Sequence, residues 1–414
     1  MERSILHVDM NNCYASIEVK MHPQWKGIPL AVCGSVDERH GIVLAKSQEA
    51  KERGVQTGEA IWQAKQKCPS LLVVPPHYDA YLEHSRMARK IYYSYTNRVE
   101  PFGLDECWLD VTGSKNLHGT GEEIAQLIRQ RIKKELGITV SVGVSYNKIF
   151  AKLGSDLKKP DAVTVIRRED LHQTVWPLPT KELLGVGPAT KQKLKKRGID
   201  TIGQLAKTDP HLLKTWLGIP GVHLWHYANG RDEAPVMDAD QKPPIKSIGH
   251  GITCTADLVD DIEVRRVFTE LAFDVSSRLR KAKLSAQGVQ ISVRDSDLIT
   301  VQYQGPLPLP TQSPSLLTKT GFELFQTNYP WKKSIRSLTI RAINLVSASL
   351  PRQSDCFSDF ETLHKKEKVD EVMYQIREKF GSTSISFAGL LQLNKFPGKR
   401  QHMVTLPSAY IHQG

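Results

Sequence analysis

The chain is poor in what disulfide and zinc chemistry need. Its six cysteines, at positions 13, 33, 68, 107, 254 and 356, form no Cys-x-x-Cys pair, and no histidine cluster has zinc-ligand spacing. They read as free thiols in a reducing compartment. No apolar run approaches the length of a membrane span. The opening stretch, Met1-Glu2-Arg3-Ser4-Ile5-Leu6, reaches Asp9 too soon for a secretory leader. A cytoplasmic protein with no membrane partner is expected.

Length and positive charge are present. At 414 residues the chain exceeds one ordinary core, so two to four domains are expected. The net charge of +12 is spread out. Residues 1–167 carry 23 basic and 19 acidic side chains, 168–235 carry 10 and 7, and 241–350 carry 14 and 9. Such a spread suits a protein that grips a polyanion along an extended track, although a basic protein without that partner would look the same.

Patterning suggests an α+β, multidomain chain. Ile5-Leu6-His7-Val8 reads as a short buried strand ending at Asp9. Residues 79–97 have a helical period, with Leu82, Ser85, Ala88, Tyr92 and Tyr95 on one face. Strands are expected over 98–102 and 107–111. The capping box Thr120-Gly121-Glu122-Glu123 opens a helix, and Val140, Val142 and Val144 alternate as a further strand. The order β-α-β-β-α-β is a ferredoxin-like unit, with the residues between Asp9 and Pro75 inserted as a subdomain. Residues 168–235 read as helical and glycine-punctuated. After a proline-containing linker, 246–345 repeats the β-α-β-β-α-β order. Its strands are expected near 247–254, 288–294, 299–303 and 335–345, and its helices near 261–283 and 314–328. One more helix is expected over 366–380.

Three carboxylates stand out. Asp9 ends a buried strand, and Asp105 and Glu106 sit in the turn of a hairpin that this fold sets beside it. Carboxylates converging at one sheet end repel unless cations neutralise them, and hard oxygen donors select magnesium or manganese. Two such ions about 3.5–4 Å apart can activate a hydroxyl and stabilise a leaving pyrophosphate. A lone Asp at a strand end is more often a turn residue, so the weight lies on the three together.

These residues also carry a resemblance. Asp9-Met10-Asn11-Asn12-Cys13-Tyr14-Ala15-Ser16-Ile17-Glu18 resembles the opening motif of the Y-family DNA polymerases. Gly103-Leu104-Asp105-Glu106-Cys107-Trp108-Leu109-Asp110 resembles their second motif, usually written S-x-D-E-x-x-L-D. Ser141 to Lys148, followed by Ala151-Lys152 and Lys159-Pro160, resembles the third. The match runs in register over about residues 5–345 and has the character of the bacterial DinB/UmuC group.

The resemblance implies a ferredoxin-like palm (1–10 and 77–167), a small fingers insertion (11–76) and a helix-hairpin-helix thumb (168–235). A linker (236–245), a β-α-β-β-α-β little finger (246–348) and a tail (349–414) follow. It implies low-fidelity, template-directed synthesis on primer-template DNA from deoxynucleoside triphosphates. The carboxylates Asp9, Asp105 and Glu106 and the carbonyl of Met10 would hold two Mg2+ ions, with Mn2+ able to substitute. Tyr14 would be the steric gate against a ribose 2′-hydroxyl, and Lys159 would contact the triphosphate. Gln48 and Lys51 occupy the family's Y-E-A-R position, Lys51 without the fork of an arginine. Cys13 stands where an aromatic is common, and Gly103 replaces a serine. No carboxylate set suggests a proofreading exonuclease. Two rivals remain at this stage: a nucleotide cyclase, which needs neither hairpin nor second sheet, and a DNA-binding protein without catalysis, against which the intact carboxylates argue.

Three further segments point to partners. Leu184-Gly185-Val186-Gly187-Pro188 followed by Lys191 reads as a helix-hairpin-helix that offers backbone amides to a phosphate. In the 246–345 unit, Val289, Ile291 and Val293 oppose Gln290, Ser292 and Arg294, and Leu338 and Ile340 oppose Ser337, Thr339 and Arg341. Ser247 and Thr253 join the polar face, which suits a groove lined by phosphates. Finally, Gln392, Leu393 and Phe396 resemble the Q-L-x-L-F peptide that docks bacterial polymerases on the sliding clamp, with Lys395 replacing one apolar anchor. Leu391, Leu393 and Phe396 also fit a terminal strand that packs on the 366–380 helix.

Overall fold

The computed structural model describes residues 2–39, 41–238, 241, 244–351, 360–381, 384–390 and 395–396. They fall into two units: residues up to 33 with 43–242, and 243–403 with the segment 34–42.

The first unit contains β1 (Ile5–Met10), β2 (Leu30–Cys33), β3 (Val43–Lys46), β4 (Leu72–Val74), β5 (Val99–Pro101), β6 (Glu106–Asp110), β7 (Val140–Ser145) and β8 (Val163–Ile166). All six residues of β1 are buried, because it is the central strand of the sheet β5-β6-β1-β7-β8. Burial on both faces is why it reads as a continuous apolar run. Leu6, Val8 and Met10 face a core shared with Tyr81, Ala88 and Tyr92 of the Tyr78–Tyr93 helix and with Ile124 and Ile128 of the Gly121–Arg131 helix. By alternation Ile5, His7 and Asp9 face the other way, and Ile5 packs there with Trp108 and Ala151. The expected strand and helix order is present. β8 adds a fifth strand, parallel to β7, that patterning did not show. The helix expected over 79–97 ends at Tyr93.

The inserted segment forms a separate small sheet, β3-β2-β4. Its strands are three or four residues long, too short to carry a period in sequence. Residues 188–228 are four short helices around Leu194, Ile202, Leu205, Leu213 and Leu224, with Phe150 and Leu153 of the Lys148–Leu157 helix in the same core.

The second unit is the sheet β11-β10-β12-β9, formed from β9 (Ile248–Leu258), β10 (Leu284–Asp295), β11 (Thr300–Thr311) and β12 (Ile335–Ser347). The Asp261–Ala282 and Pro314–Asn328 helices cover one face. β11 runs well past the expected end at 303, through Pro306, Pro308 and Pro310. Proline breaks a central strand, but β11 is an edge strand, where missing N–H donors are tolerated. The expected tail helix spans Phe360–Phe380 and docks on this unit: Asp370 accepts from Ser313 and from Ser315, and Met373 packs with Phe273 and Leu390.

One contact brings the Lys148–Leu157 helix unusually close to the first sheet. A Cβ on Gly143 in β7 would sit 1.9 Å from the Ala151 carbonyl and 2.5 Å from the Ser155 nitrogen. Backbone lies there on both sides, so nothing flexible can yield. Gly143→Ala is expected to destabilise the protein by about 3 kcal/mol through overpacking, whereas Gly113→Ala, which meets nothing within 4 Å, is expected to be nearly neutral. Urea unfolding midpoints of the two variants make the comparison, and a neutral Gly143→Ala would show that the helix can back away.

Candidate active site

The antiparallel register pairs Asp9 with Glu106, His7 with Trp108 and Ile5 with Asp110 across β1 and β6. Directly paired residues share a face, so two carboxylates meet on neighbouring strands. Asp105 joins them from the bend that precedes β6, where its carbonyl accepts the Met10 N–H at 3.1 Å. The bend turns on Gly103, whose φ of +91° lies in the left-handed region that glycine occupies at least cost. That accounts for glycine at this position. Arg89 of the Tyr78–Tyr93 helix holds the Gly103 carbonyl, and Ser85 donates to that of Leu104.

Burial shapes the charges. The Asp9 carboxyl is pushed well above the usual range by burial and then by Glu106, and only partly drawn back by Lys159 and Lys152. Asp105 is raised for the same first two reasons. Glu106 goes the other way: burial pushes it up, but contact with His7 and the Lys152 ammonium outweigh that. His7 is fully buried, with Nε2 3.2 Å from Glu106 Oε2 and Nδ1 2.8 Å from the Ser155 hydroxyl. Burial lowers its pKa to about 4.

Two lysines face the carboxylates. Lys152 Nζ lies 3.0 Å from Glu106, 3.2 Å from Asp156 and 3.4 Å from Asp9. Lys159 Nζ lies 2.8 Å from both Asp9 and Asp156. The turn after Lys159 is tied down by Asp161, which pairs with Arg129 at 2.8 Å and Lys133 at 2.7 Å. The donor set fits a hard divalent cation: oxygens only, crowded like charges, and a buried Glu106 Oε2 with no aligned hydrogen bond among the described residues. Among the described residues, however, no group of three or more His, Cys, Asp or Glu side chains is drawn together as it would be around a metal ion.

Tyr14 lies in the first turn of the Cys13–Met21 helix, which starts at the left-handed residue Asn12. Its half-buried ring stacks on Tyr81, centroids 4.2 Å apart and planes 10° apart. Burial, then the Asp105 charge, push its hydroxyl up to about 12, so it stays protonated. Gln48 opens the short Gln48–Glu52 helix, where its amide donates to Glu52 at 3.1 Å, and Lys51 in the same helix is exposed. Among the described residues, neither forms a hydrogen bond or ion pair with the carboxylates. Cys13 fits without an aromatic ring because its side chain is buried in the main core, the thiol 3.9 Å from the Met10 sulfur.

Sequence comparison decides the family. Residues 8–156 match the impB/mucB/samB family, and residues 245–356 match its C-terminal domain. DNA polymerase IV of Acetivibrio thermocellus is 48% identical over 392 residues, covering 95% of this chain and 98% of that one. DNA polymerase IV of Bacillus velezensis is 39% identical over 385 residues, covering 92% of each. The chain belongs to the DNA polymerase IV family. Its members are DNA-directed DNA polymerases of the Y-family type. A chimeric Y-family DNA polymerase of known structure shares the fold, with a TM-score of 0.74 at 24% identity, over 83% of this chain and 99% of that one.

Against this family the remaining candidate residues take their places. In the thumb, Gly185 has φ +93°, Gly187 caps the Pro188–Lys195 helix with open space around it, and Lys191 is exposed on that helix. Gly218 repeats the device ahead of the Ile219–Ala228 helix. Arg197 stacks 4.6 Å over Trp216 and is exposed, as are Lys191, Lys193 and Lys195 on the helix. In the little finger the alternation holds: Val289, Ile291, Val293, Leu338 and Ile340 are buried. Arg294 and Arg341 are exposed, and Ser247 is half-exposed. Register aligns polar rows across the strands: Thr300, Arg294, Ser337 and Thr253, then Gln302, Ser292, Thr339 and Gly251, then Gln304, Gln290, Arg341 and Gly249. Gln392 and Leu393 lie outside the described residues. Phe396 packs on the little-finger core, not on the Phe360–Phe380 helix, and the Lys395 carbonyl accepts the Thr255 N–H at 3.0 Å.

Sequence reading missed His7, Asp156 and the placement of Lys152. The one signal available for the last two was the i, i+4 spacing of Lys152 and Asp156 on one helix face. The raised Asp105 carboxyl has a consequence for stability. Folding binds its proton more tightly than the unfolded chain does, so ionisation costs stability at every pH above the unfolded value. Asp105→Asn should therefore raise the melting temperature of metal-free enzyme at pH 8, with the gain shrinking as pH falls toward 4. Calorimetry in a chelator checks this, and equal melting temperatures at pH 8 would refute it.

Proposed function

We propose that this enzyme extends primers across damaged templates, adding deoxynucleotides with low fidelity and without proofreading. The observation that carries the reading is the opposed Asp9–Glu106 pair with Asp105 beside it and Lys152 and Lys159 facing it. The primer 3′-hydroxyl attacks the α-phosphorus, one P–O bond forms, and the bond to the β-phosphate breaks to release pyrophosphate. Two Mg2+ ions, or Mn2+, would bind Asp9, Asp105, Glu106 and the Met10 carbonyl and supply charge neutralisation and an activated hydroxyl.

The chain's own residues do the rest. Lys159, with Gln48 and Lys51 from the fingers, holds the triphosphate. Tyr14 closes the space where a 2′-hydroxyl would lie. The thumb amides around Gly185 and Gly187, with Lys191, grip phosphates without reading sequence. The polar little-finger face, with Ser247, Arg294 and Arg341, tracks the duplex. Among the described residues no helix is long and apolar enough to cross a membrane, and we place the enzyme in the cytoplasm.

Primer extension with magnesium on damaged and undamaged templates tests the assignment. Asp105→Ala and Glu106→Ala should each lose extension by about a thousandfold or more, since removing a stabiliser of transition-state charge costs about that much. Primer-template affinity should stay within a few-fold. Full extension by both variants would sink the metal assignment.

Clamp docking through Gln392, Leu393 and Phe396 belongs to the same proposal. It requires Phe396 to leave the little-finger core. Gln392→Ala should abolish stimulation by loaded clamp while clamp-free extension and melting temperature stay at wild-type values. Stimulation that survives in Gln392→Ala would rule this peptide out.

A further inference from the structure

Glu18 is a fully buried carboxylate that the reaction does not use. It lies one turn after Tyr14 on the Cys13–Met21 helix, so both side chains project from the same helix face. A buried carboxylate must be satisfied by donors. Two come from the start of the Tyr78–Tyr93 helix. The Tyr81 hydroxyl donates to Glu18 Oε1. His77 Nδ1 lies 2.9 Å from Oε1 and 3.1 Å from Oε2. Tyr81 itself has no exposed surface.

The chain of contacts ends at the gate. Tyr81 presents its face to Tyr14 at 4.2 Å, nearly parallel, and Tyr78 stands edge-on to both rings at 6.1 and 5.9 Å. A tyrosine ring has two torsions, and its hydroxyl is the lever farthest from the backbone. The hydroxyl oxygen lies on the ring's long axis, so holding it on a buried carboxylate fixes where the ring points, and because a phenolic O–H prefers the ring plane, the direction of that hydrogen bond orients the plane as well. The plane of Tyr81 in turn sets how far the half-buried Tyr14 ring can tilt, because stacked rings slide and rotate only at the loss of their contact.

We infer that Glu18 is a positioning residue for sugar discrimination: through the Tyr81 hydroxyl it sets the plane against which the Tyr14 ring stacks. The inference rests on Tyr14 being the gate. Glu18 touches no substrate and acts only through Tyr81.

The test is the ratio of kcat/KM for deoxynucleotide over ribonucleotide insertion opposite the same template base. Tyr81→Phe keeps the stacking ring and removes only the hydroxyl, and Glu18→Leu removes the acceptor. Each should lower the ratio about tenfold, the low end for one hydrogen bond to a charged group, through better ribonucleotide insertion. Glu18→Gln keeps an oxygen acceptor and should restore a ratio near wild type. In the Tyr14→Ala background, Tyr81→Phe should add nothing. Melting temperatures accompany each variant, because a purely structural Glu18 would lower stability and both insertions together without moving the ratio. An unmoved ratio in Tyr81→Phe and Glu18→Leu, alongside a fallen one in Tyr14→Ala, overturns the anchor and leaves the gate standing. An unmoved ratio in Tyr14→Ala overturns both.

Discussion

Two carboxylates placed opposite each other on adjacent buried strands set the terms for everything around them. Asp9 and Glu106 are forced together by the register of β1 and β6, not by flexible side chains reaching across a cleft. Like charges in a partly dry site repel strongly. The surroundings answer with cations: Lys152 and Lys159 lie within 3.4 Å of one or both. Those lysines need a helix pressed against the sheet, and the helix can come that close only because Gly143 has no side chain. The strand register, the glycine and the two lysines thus form one arrangement.

Much of this arrangement was legible in the sequence. A short buried strand ending in Asp9 and a hairpin ending in Asp105-Glu106 are local patterns, and antiparallel pairing follows once the topology is recognised. The alternation of β10 and β12 also read correctly, because one face is buried and the other is not. Short range was the limit elsewhere. Strands of three or four residues in the fingers carry no period. The strand expected near 299–303 runs on through three prolines, which only its place at a sheet edge permits. Glu18 stood in the sequence only as the end of the opening motif, and it is the packing of a distant helix that buries it. Lys152 was visible as part of a motif, but its three carboxylate partners belong to tertiary structure.

Grip and chemistry are built from different materials. The carboxylate site sits on the central strands of a rigid sheet, which suits atoms that must be held to within fractions of an ångström. The thumb offers backbone amides at glycine turns, and the little finger offers rows of hydroxyls, amides and arginines across four strands. Gly249 and Gly251 keep that face level, since a Cβ at either would strike Arg341 or Thr339. Under the proposed function, neither surface would read bases by its chemistry.

The outer side of β9 carries a hazard of a different kind. β9 is the last strand of its sheet, eleven residues long, and an unpaired strand edge invites another chain to add on. Here Lys395 lies against it: the Thr255 N–H is taken by the Lys395 carbonyl, and the Lys395 ammonium donates to the Asp257 carbonyl at 2.9 Å. These two contacts cover one stretch of the β9 edge. Were Lys395 drawn away, that stretch of the edge would be open to another strand.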